Sequence, residues 1–419
     1  MRMASQLLDA SVSGAPLARG ESGKTSSARI REIDVARGAA MFFVCLSHFS
    51  GAYLWLHGIE AAELLATMSM IASPSFVLIS GMTLGVLGTR NPEDLPHLRI
   101  RLLDRGLFLL LVGHFVLSVS QLRRNTIAGA FYTSFLTDAL AVAMIVGPRI
   151  VSVTGRSLRI AISLMIYCAG WVASACWLPS SDGGTQIQRY VFGSLPTNIS
   201  GARTLVFPVV PWLAVYLLGT VFGEYVGDCY RKGERARARK LFLVAGLGFM
   251  CLGAAIYFVT RRIQTVHALV TQSMLATLLT SPTLKFPPGP AFIAYFGGSG
   301  LVFMWLVLEL QARGGFPWLV ESLRRVGYAS LPVFILQYFL YSALIRPANL
   351  RYTAWWPLLF LGTLVPMWTL ATLWCRADEA NRLLTVGVTS WLESGPRRLL
   401  ERRLRAQQAP YSESGTASA

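Results

Sequence analysis

Arg29 to His57 reads RIREIDVARGAAMFFVCLSHFSGAYLWLH, a charged cluster that runs directly into an apolar segment with a histidine near its middle. On a helix, Asp34 and Arg37 are three apart and share a face, so they pair where the helix leaves water. Gly38 and Ala39 leave room for a neighbour's backbone, and the mostly apolar residues that follow rise 1.5 Å each, enough to cross most of a hydrocarbon core. His48 lies eleven residues past Arg37. That is roughly 16 Å deeper, about halfway across a core of about 30 Å. An ionisable side chain at that depth is costly and marks a functional site by default. The competing reading is a neutral imidazole hydrogen-bonded between helices.

The remaining composition extends this stretch to a whole class. The chain has 419 residues, 53% apolar and only 14% charged. That is too apolar for an ordinary soluble domain and reads as an all-α polytopic membrane protein. A formal charge of +17 would suggest nucleic acid in a soluble chain. Here the basic residues sit between apolar runs, where they orient helices, and no nucleic-acid partner is implied. The six cysteines have neither a CxxC pair nor metal-ligand spacing, so they are read as small buried hydrophobes, with no disulfide framework and no metal. Residues 1–28 are polar, lack the apolar core of a signal peptide and read as a disordered cytoplasmic tail. Residues 29–375 form the transmembrane domain, and 376–419 a basic cytoplasmic tail with an interfacial pattern of leucines and arginines.

Runs long enough to span occur at about 38–57, 63–88, 102–121, 126–147, 158–178, 204–227, 241–260, 290–312, 325–345 and 354–375, which predicts ten helices. With the N-terminus cytoplasmic, the inner segments hold 29 of the 38 Lys and Arg, a bias that puts both termini inside. The fourth run is the weakest. Two outer loops are long, with polar residues such as Asp182, Gln186, Gln188, Arg189 and Asn198 in the first and Gln264, His267 and Gln272 in the second. They suit either an acceptor or plain solvation.

Several polar residues fall inside the spans. The third helix puts His114 at nearly the depth of His48, and a fourth helix starting near Thr126 puts Asp138 near mid-membrane. A carboxylate with one or two imidazoles at one level suits proton transfer, although structural hydrogen bonding and packing explain Asp138 and His114 equally well or better. On the inner side Arg101 and Arg105 are four apart on one face, beside Arg99. With Arg37 they form a candidate phosphate clamp, against the plainer reading that they only set topology. SPSFVLISGMTLG places Pro74 to bend the second helix and Gly81 and Gly85 as a close-packing face. FPVVPWLAVYLLG carries Trp212 at an expected interface, and KFPPGPAF makes an extended turn holding Lys285 at the outer surface.

Together these stretches resemble a known family. Arg37 and His48 have the Arg-x10-His spacing of the membrane acyltransferase-3 superfamily, inside an IDVARG similar to its LDxLRG. SFVLISGMTLG is similar to its FFxxSG segment. FPVVPWLAVYLLG, KFPPGPAF and RRVGYASLPVFILQYFL resemble the FPxxPWxxxxLxG, KYPPS and GRVPLFxYxLH stretches of the branch related to heparan-alpha-glucosaminide N-acetyltransferase. The matches run in order over about residues 29 to 345. Two positions depart: Ala36 replaces a leucine, and Gln337 stands where the last motif has a histidine.

The resemblance implies a ten- or eleven-helix acyltransferase that moves an acetyl or other acyl group from cytoplasmic acyl-CoA to a hydroxyl or amine of a sugar or similar acceptor. His48 matches the motif histidine. The glucosaminide-acetylating members carry theirs after an aromatic run beyond the first helix, which the run from Tyr53 to His57 resembles, so His57 competes. Asp138 would support the base, Arg37, Arg101 and Arg105 would hold the CoA phosphates, and Gln337 or Ser47 would meet the developing oxyanion. A permease or flippase using the same intramembrane polar residues is the alternative from another class. A scaffold without catalysis is a third. A bacterial inner membrane is the expected location.

Overall fold

The computed structural model describes residues 31–54, 57–90, 95–122, 131, 133–176, 190–192, 207–267, 285 and 288–380. The N-terminal tail, most of the C-terminal tail and the polar residues named in the two long outer loops fall outside the described residues or have undescribed side chains. Within them the chain is helical, and the one β contact is an isolated bridge between Lys285 and Pro288. Ten helices among the described residues are long and apolar enough to cross a membrane, as the hydropathy pattern predicts. The protein is a polytopic membrane protein.

Helix α1 (Arg31–Phe49) opens the bundle and continues into a π-helical turn, π1 (Ser50–Leu54). Next come α2 (Glu60–Ser69), α3 (Ala72–Arg90) and α4 (Leu95–Phe108). A second π turn, π2 (Leu109–Gly113), leads into α5 (His114–Gln121). Then follow α6 (Leu136–Val153), α7 (Arg156–Cys176), α8 (Val209–Arg231), α9 (Arg235–His267), α10 (Pro290–Ala312) and α11 (Pro317–Tyr328). Helix α12 (Ser330–Tyr338) runs into a third π turn, π3 (Phe339–Ile345), and α13 (Trp356–Ala380) closes the order.

Close packing is organised by glycine. In lipid no hydrophobic force draws helices together, so intimate van der Waals contact at small residues takes its place. A Cβ at Gly81 or Gly85 of α3 would strike the backbone oxygens of Tyr216 or Thr220 on α8. Reciprocally, one at Gly219 or Gly223 of α8 would strike those of Leu78 or Met82 on α3. The small-residue face predicted at Gly81 and Gly85 is therefore real, and it meets a matching pair. Gly38 meets the Leu323 backbone of α11 in the same manner, as its room for a neighbour predicts, and Gly327 of α11 meets that of Asp34. On α9 and α10, Gly246 and Gly298 bring the two backbones together. These contacts centre the bundle on α1, α3 and α8.

Four local expectations are corrected. The second span is broken at Met70 and Ile71, and Pro74 lies in the first turn of α3, where a missing N–H costs no helical bond; it starts a helix rather than bending one. The fourth span begins at Leu136, not near Thr126, so Asp138 belongs to a first turn. Its carboxylate accepts the Phe135 amide at 2.8 Å, a helix-start arrangement that also suits the positive end of the helix dipole. The ninth run is divided: α11 is a separate amphipathic helix, entered through Phe316 in the left-handed region and followed by the break at Ala329 before α12. Trp212 is buried against Phe207 and not interfacial, because Pro208 and Pro211 start α8 with this face turned into the core.

Candidate active site

Four aromatic-lined elements, α1, α5, α6 and α12, converge on one cluster. His48 closes the last turn of α1, and its Nδ1 donates to Gln337 Oε1 at 2.6 Å. The Tyr338 ring stands 4.6 Å from the imidazole and Phe334 lies at 6.4 Å. Tyr338 in turn meets Phe135 edge-on at 5.6 Å, and Phe135 meets His114 at 5.7 Å. The two histidines are linked through the Tyr338–Phe135 pair and parted by these two rings.

Each π turn abuts one of these groups. π1 begins two residues after His48, π2 ends one residue before His114, and π3 begins two residues after Gln337. A π turn adds a residue to the helical circuit, re-aims the side chains at its edge, and recurs at functional sites. Three of them converging on one cluster is a feature that hydropathy does not encode. π1 and π3 also pack against each other.

His48 and His114 are held differently. Gln337 is fully buried, and its Oε1 accepts only a proton already on Nδ1, so the His48 Nε2 carries its lone pair. Among the described residues Nε2 has no hydrogen-bond partner. His114 is bonded at both nitrogens: Nδ1 to Asp138 Oδ2 at 3.0 Å and Nε2 to the Phe131 carbonyl at 3.2 Å. The Tyr190 hydroxyl neighbours the same carboxylate. Asp138 therefore braces His114 and the start of α6, whereas the partner of His48 is a neutral amide.

His57 lies beyond π1. Its Nε2 donates to the Leu350 carbonyl at 3.0 Å, and Tyr53 donates to the Arg351 carbonyl at 3.0 Å, which ties this end of the first span to the segment before α13. The partners of His57 are Leu350, Tyr53 and Tyr352, whereas those of His48 are Gln337, Phe334 and Tyr338, so the two histidines sit in different surroundings. Lys285 stands within electrostatic reach of His48 and 5.4 Å from the Phe207 ring centroid. Burial pushes its ammonium down to about 8. The Pro288 carbonyl of the same turn accepts from Tyr167 at 2.8 Å and Trp171 at 3.1 Å, which pins the KFPPGP turn on α7.

Of the three arginines, Arg37 is largely buried, donating to Thr83 at 2.7 Å and pairing with Asp34 at 3.5 Å as its i,i+3 spacing predicts. Arg101 and Arg105 lie exposed on α4, which packs on α6. Ser47 is half-buried beside His48, and its carbonyl accepts from Ser50. Sequence reasoning singled out Gln337 as a departure and a candidate oxyanion donor, not as the partner of His48, and missed Tyr338, Phe135 and Tyr190, whose roles depend on contacts across helices.

Residues 29–261 match the family described as heparan-alpha-glucosaminide N-acetyltransferase, catalytic. This is more than half the chain, and it contains His48, His57, His114, Asp138 and the three arginines. The chain belongs to the heparan-alpha-glucosaminide N-acetyltransferase catalytic family. As a member it is a membrane-embedded transferase. The matched stretch ends before Lys285 and Gln337, which lie in the last third of the bundle. No curated protein matches the chain significantly in sequence.

Proposed function

We propose that the protein transfers an acetyl or similar acyl group from an acyl-CoA donor to an amine or hydroxyl of a sugar-like acceptor, with His48 as general base. The observation that carries this is the contact of His48 Nδ1 with the neutral Gln337 amide at 2.6 Å inside an apolar, ring-lined cluster, which leaves Nε2 of a neutral ring to take the proton. Family membership supports transfer chemistry over transport. Its printed name speaks for acetyl transfer to the amine of a glucosaminide, and that substrate class is carried over here as part of the proposal.

In this reading the acceptor nitrogen or oxygen attacks the thioester carbonyl carbon while its proton moves to His48 Nε2. The new C–N or C–O bond forms, the C–S bond breaks, and the imidazolium returns the proton to the departing thiolate. Arg101 and Arg105 on the exposed face of α4 meet the donor phosphates, with Arg37 as a buried brace at the mouth of α1. Both chain ends and the basic loops lie on the cytoplasmic side of a bacterial inner membrane, and the acceptor enters from the His57 side.

Turnover of [14C]acetyl-CoA with glucosamine, measured on purified protein in detergent, tests the reading. His48→Ala is expected to lose about 10²–10⁴-fold in rate, and His57→Ala to keep most of it. Loss confined to His57→Ala moves the chemistry to that residue. A wild-type protein that neither turns over nor binds acetyl-CoA overturns the acyl-CoA reading altogether.

A further inference from the structure

Two stretches that hydropathy explains only as turns, FPVVPW and KFPPGP, meet in the fold. The Phe207 amide donates to Ser134 Oγ at 2.6 Å, which ties the start of α8 to the start of α6. Leu136, Trp212 and Phe292, from the opening turns of α6, α8 and α10, share one apolar cluster with Phe207. Lys285 lies five residues before α10 with its Nζ 5.4 Å from the Phe207 ring centroid, and the Trp212 ring meets Phe207 at 6.2 Å. The start of α6 is served by Asp138, whereas α8 and α10 open on proline without a side-chain cap. Two uncapped helix starts and one ammonium thus gather around Phe207, and such starts favour negative charge.

Two side chains there ask for an anion. Trp212 is 1% exposed, and its Nε1–H has no hydrogen-bond partner among the described residues. An indole has one donor and no acceptor, so no amide rotation or tautomer satisfies it, and a buried Trp N–H usually finds a partner. Burial pushes the Lys285 ammonium down to about 8, while part of the residue's surface stays open. An anion that enters beside such a cation relieves the cost of its burial.

The junction lies at the end of the bundle away from Arg37. Arg37 meets Thr83 late in α3, whereas His48 meets Phe334, which stacks on Phe76 early in α3, so α1 and α3 run in opposite directions. Gly81 pairs with Tyr216 and Gly85 with Thr220, so α3 and α8 run in the same direction. The start of α8 is therefore at the end where α1 reaches His48, and Lys285 is within electrostatic reach of that ring.

We propose that this junction is an acceptor subsite for an anionic group, a carboxylate or sulfate ester carried by an amino sugar, with Lys285 as the charge that selects it and the Trp212 N–H as a fixed donor beside Phe207. The inference rests on the acyl-transfer reading above and narrows its acceptor to an acidic amino sugar. The donor phosphates, met by arginines at the other end of α1, have no part in it.

The test measures acetyl transfer from [14C]acetyl-CoA to muramic acid, glucosamine 6-sulfate and glucosamine on purified full-length protein in detergent. Isothermal calorimetry measures binding of the same three sugars, and thermal unfolding reports whether each variant is folded. In wild type the better of the two acidic sugars is expected to exceed glucosamine by about 10–100-fold in kcat/KM and in affinity, the worth of a hydrogen bond between charged groups. Lys285→Met should bring both ratios close to one, and Lys285→Arg should restore most of the difference. Trp212→Phe, which keeps a ring and removes the N–H, should lower the ratios about 2–10-fold. Each ratio is taken within one variant, so a partly unfolded sample does not imitate the result. A wild type that prefers neither acidic sugar overturns the subsite, and so does a preference that a folded Lys285→Met retains. A Lys285→Met whose KM for acetyl-CoA rises while the ratios stay put assigns the anion to the donor and overturns it too. Preferential binding without acetyl transfer upholds the subsite and sinks the acyl-transfer reading; transfer without preference does the reverse.

Discussion

At the scale of single residues, the partner of each ionisable group separates the ones the spans carry. His114 has a carboxylate on one nitrogen and a carbonyl on the other, so its polar demands are met within the fold. His48 has one neutral amide. The two imidazoles are thus told apart by their neighbours alone. Lys285 follows the same logic outside the spans. Burial holds its ammonium down at about 8, so the amine becomes neutral and nucleophilic as pH rises through that value, well before an ordinary lysine near 10.5. Labelling with an amine-selective acylating reagent, read by mass spectrometry, should show Lys285 modified half-maximally near pH 8. A half-maximal pH near 10.5 would contradict the burial.

At the scale of elements, glycine decides which helices touch. Gly85→Val forces a branched side chain into the Thr220 backbone, and neither helix can yield without separating the α3–α8 pair. A destabilisation at or above the usual overpacking range of about 1–3 kcal/mol is expected, read as a lower thermal midpoint in detergent. Gly248, on the exposed side of α9 with nothing within 4 Å of an added Cβ, is the matched control. Gly248→Ala should be neutral or stabilising by about 0.5–1 kcal/mol, the helix-interior cost of glycine. The element scale also shows how α11 is retained. Glu321 gathers Arg31, Arg324 and Arg325, and the bonds from Arg324 and Arg325 hold its carboxyl down at about 2, while Gly327 and Gly38 let α11 lie against α1 at the charged start of the first span.

At the scale of the molecule, the proposed reaction runs from the basic face that takes the donor, through the ring-lined cluster at His48, to an acceptor from the His57 side. The basic residues of the loops between spans argue for one orientation. Gly233 lies in the turn between α8 and α9, inside the RKGERARARK run, with its φ at 75° and open space around it. Gly233→Cys, in a background without the native cysteines, should react with a membrane-impermeant maleimide in inverted vesicles and not in intact cells. The reverse result would turn the whole path over and put the donor arginines on the wrong side.

The sequence by itself determined the class and much of the frame. Long apolar runs cannot leave backbone groups unpaired in lipid, so ten spanning helices follow from composition and order. The eighth run, 290–312, coincides with α10, and the pairing of Asp34 with Arg37 and the close-packing role of Gly81, Gly85 and Gly38 were also legible, because each depends on spacing along one helix. Where the chain leaves a regular helix, the pattern fails: the start of α6, the break before α12 and the three π turns depend on which polar atoms find partners across the bundle. That Asp138 meets His114 and not His48, that Trp212 is buried, and that Gln337 binds the His48 ring are tertiary facts. Hydropathy reports how much a residue favours lipid over water; only packing sets which nitrogen faces which oxygen, and here that choice distinguishes His48 from His114.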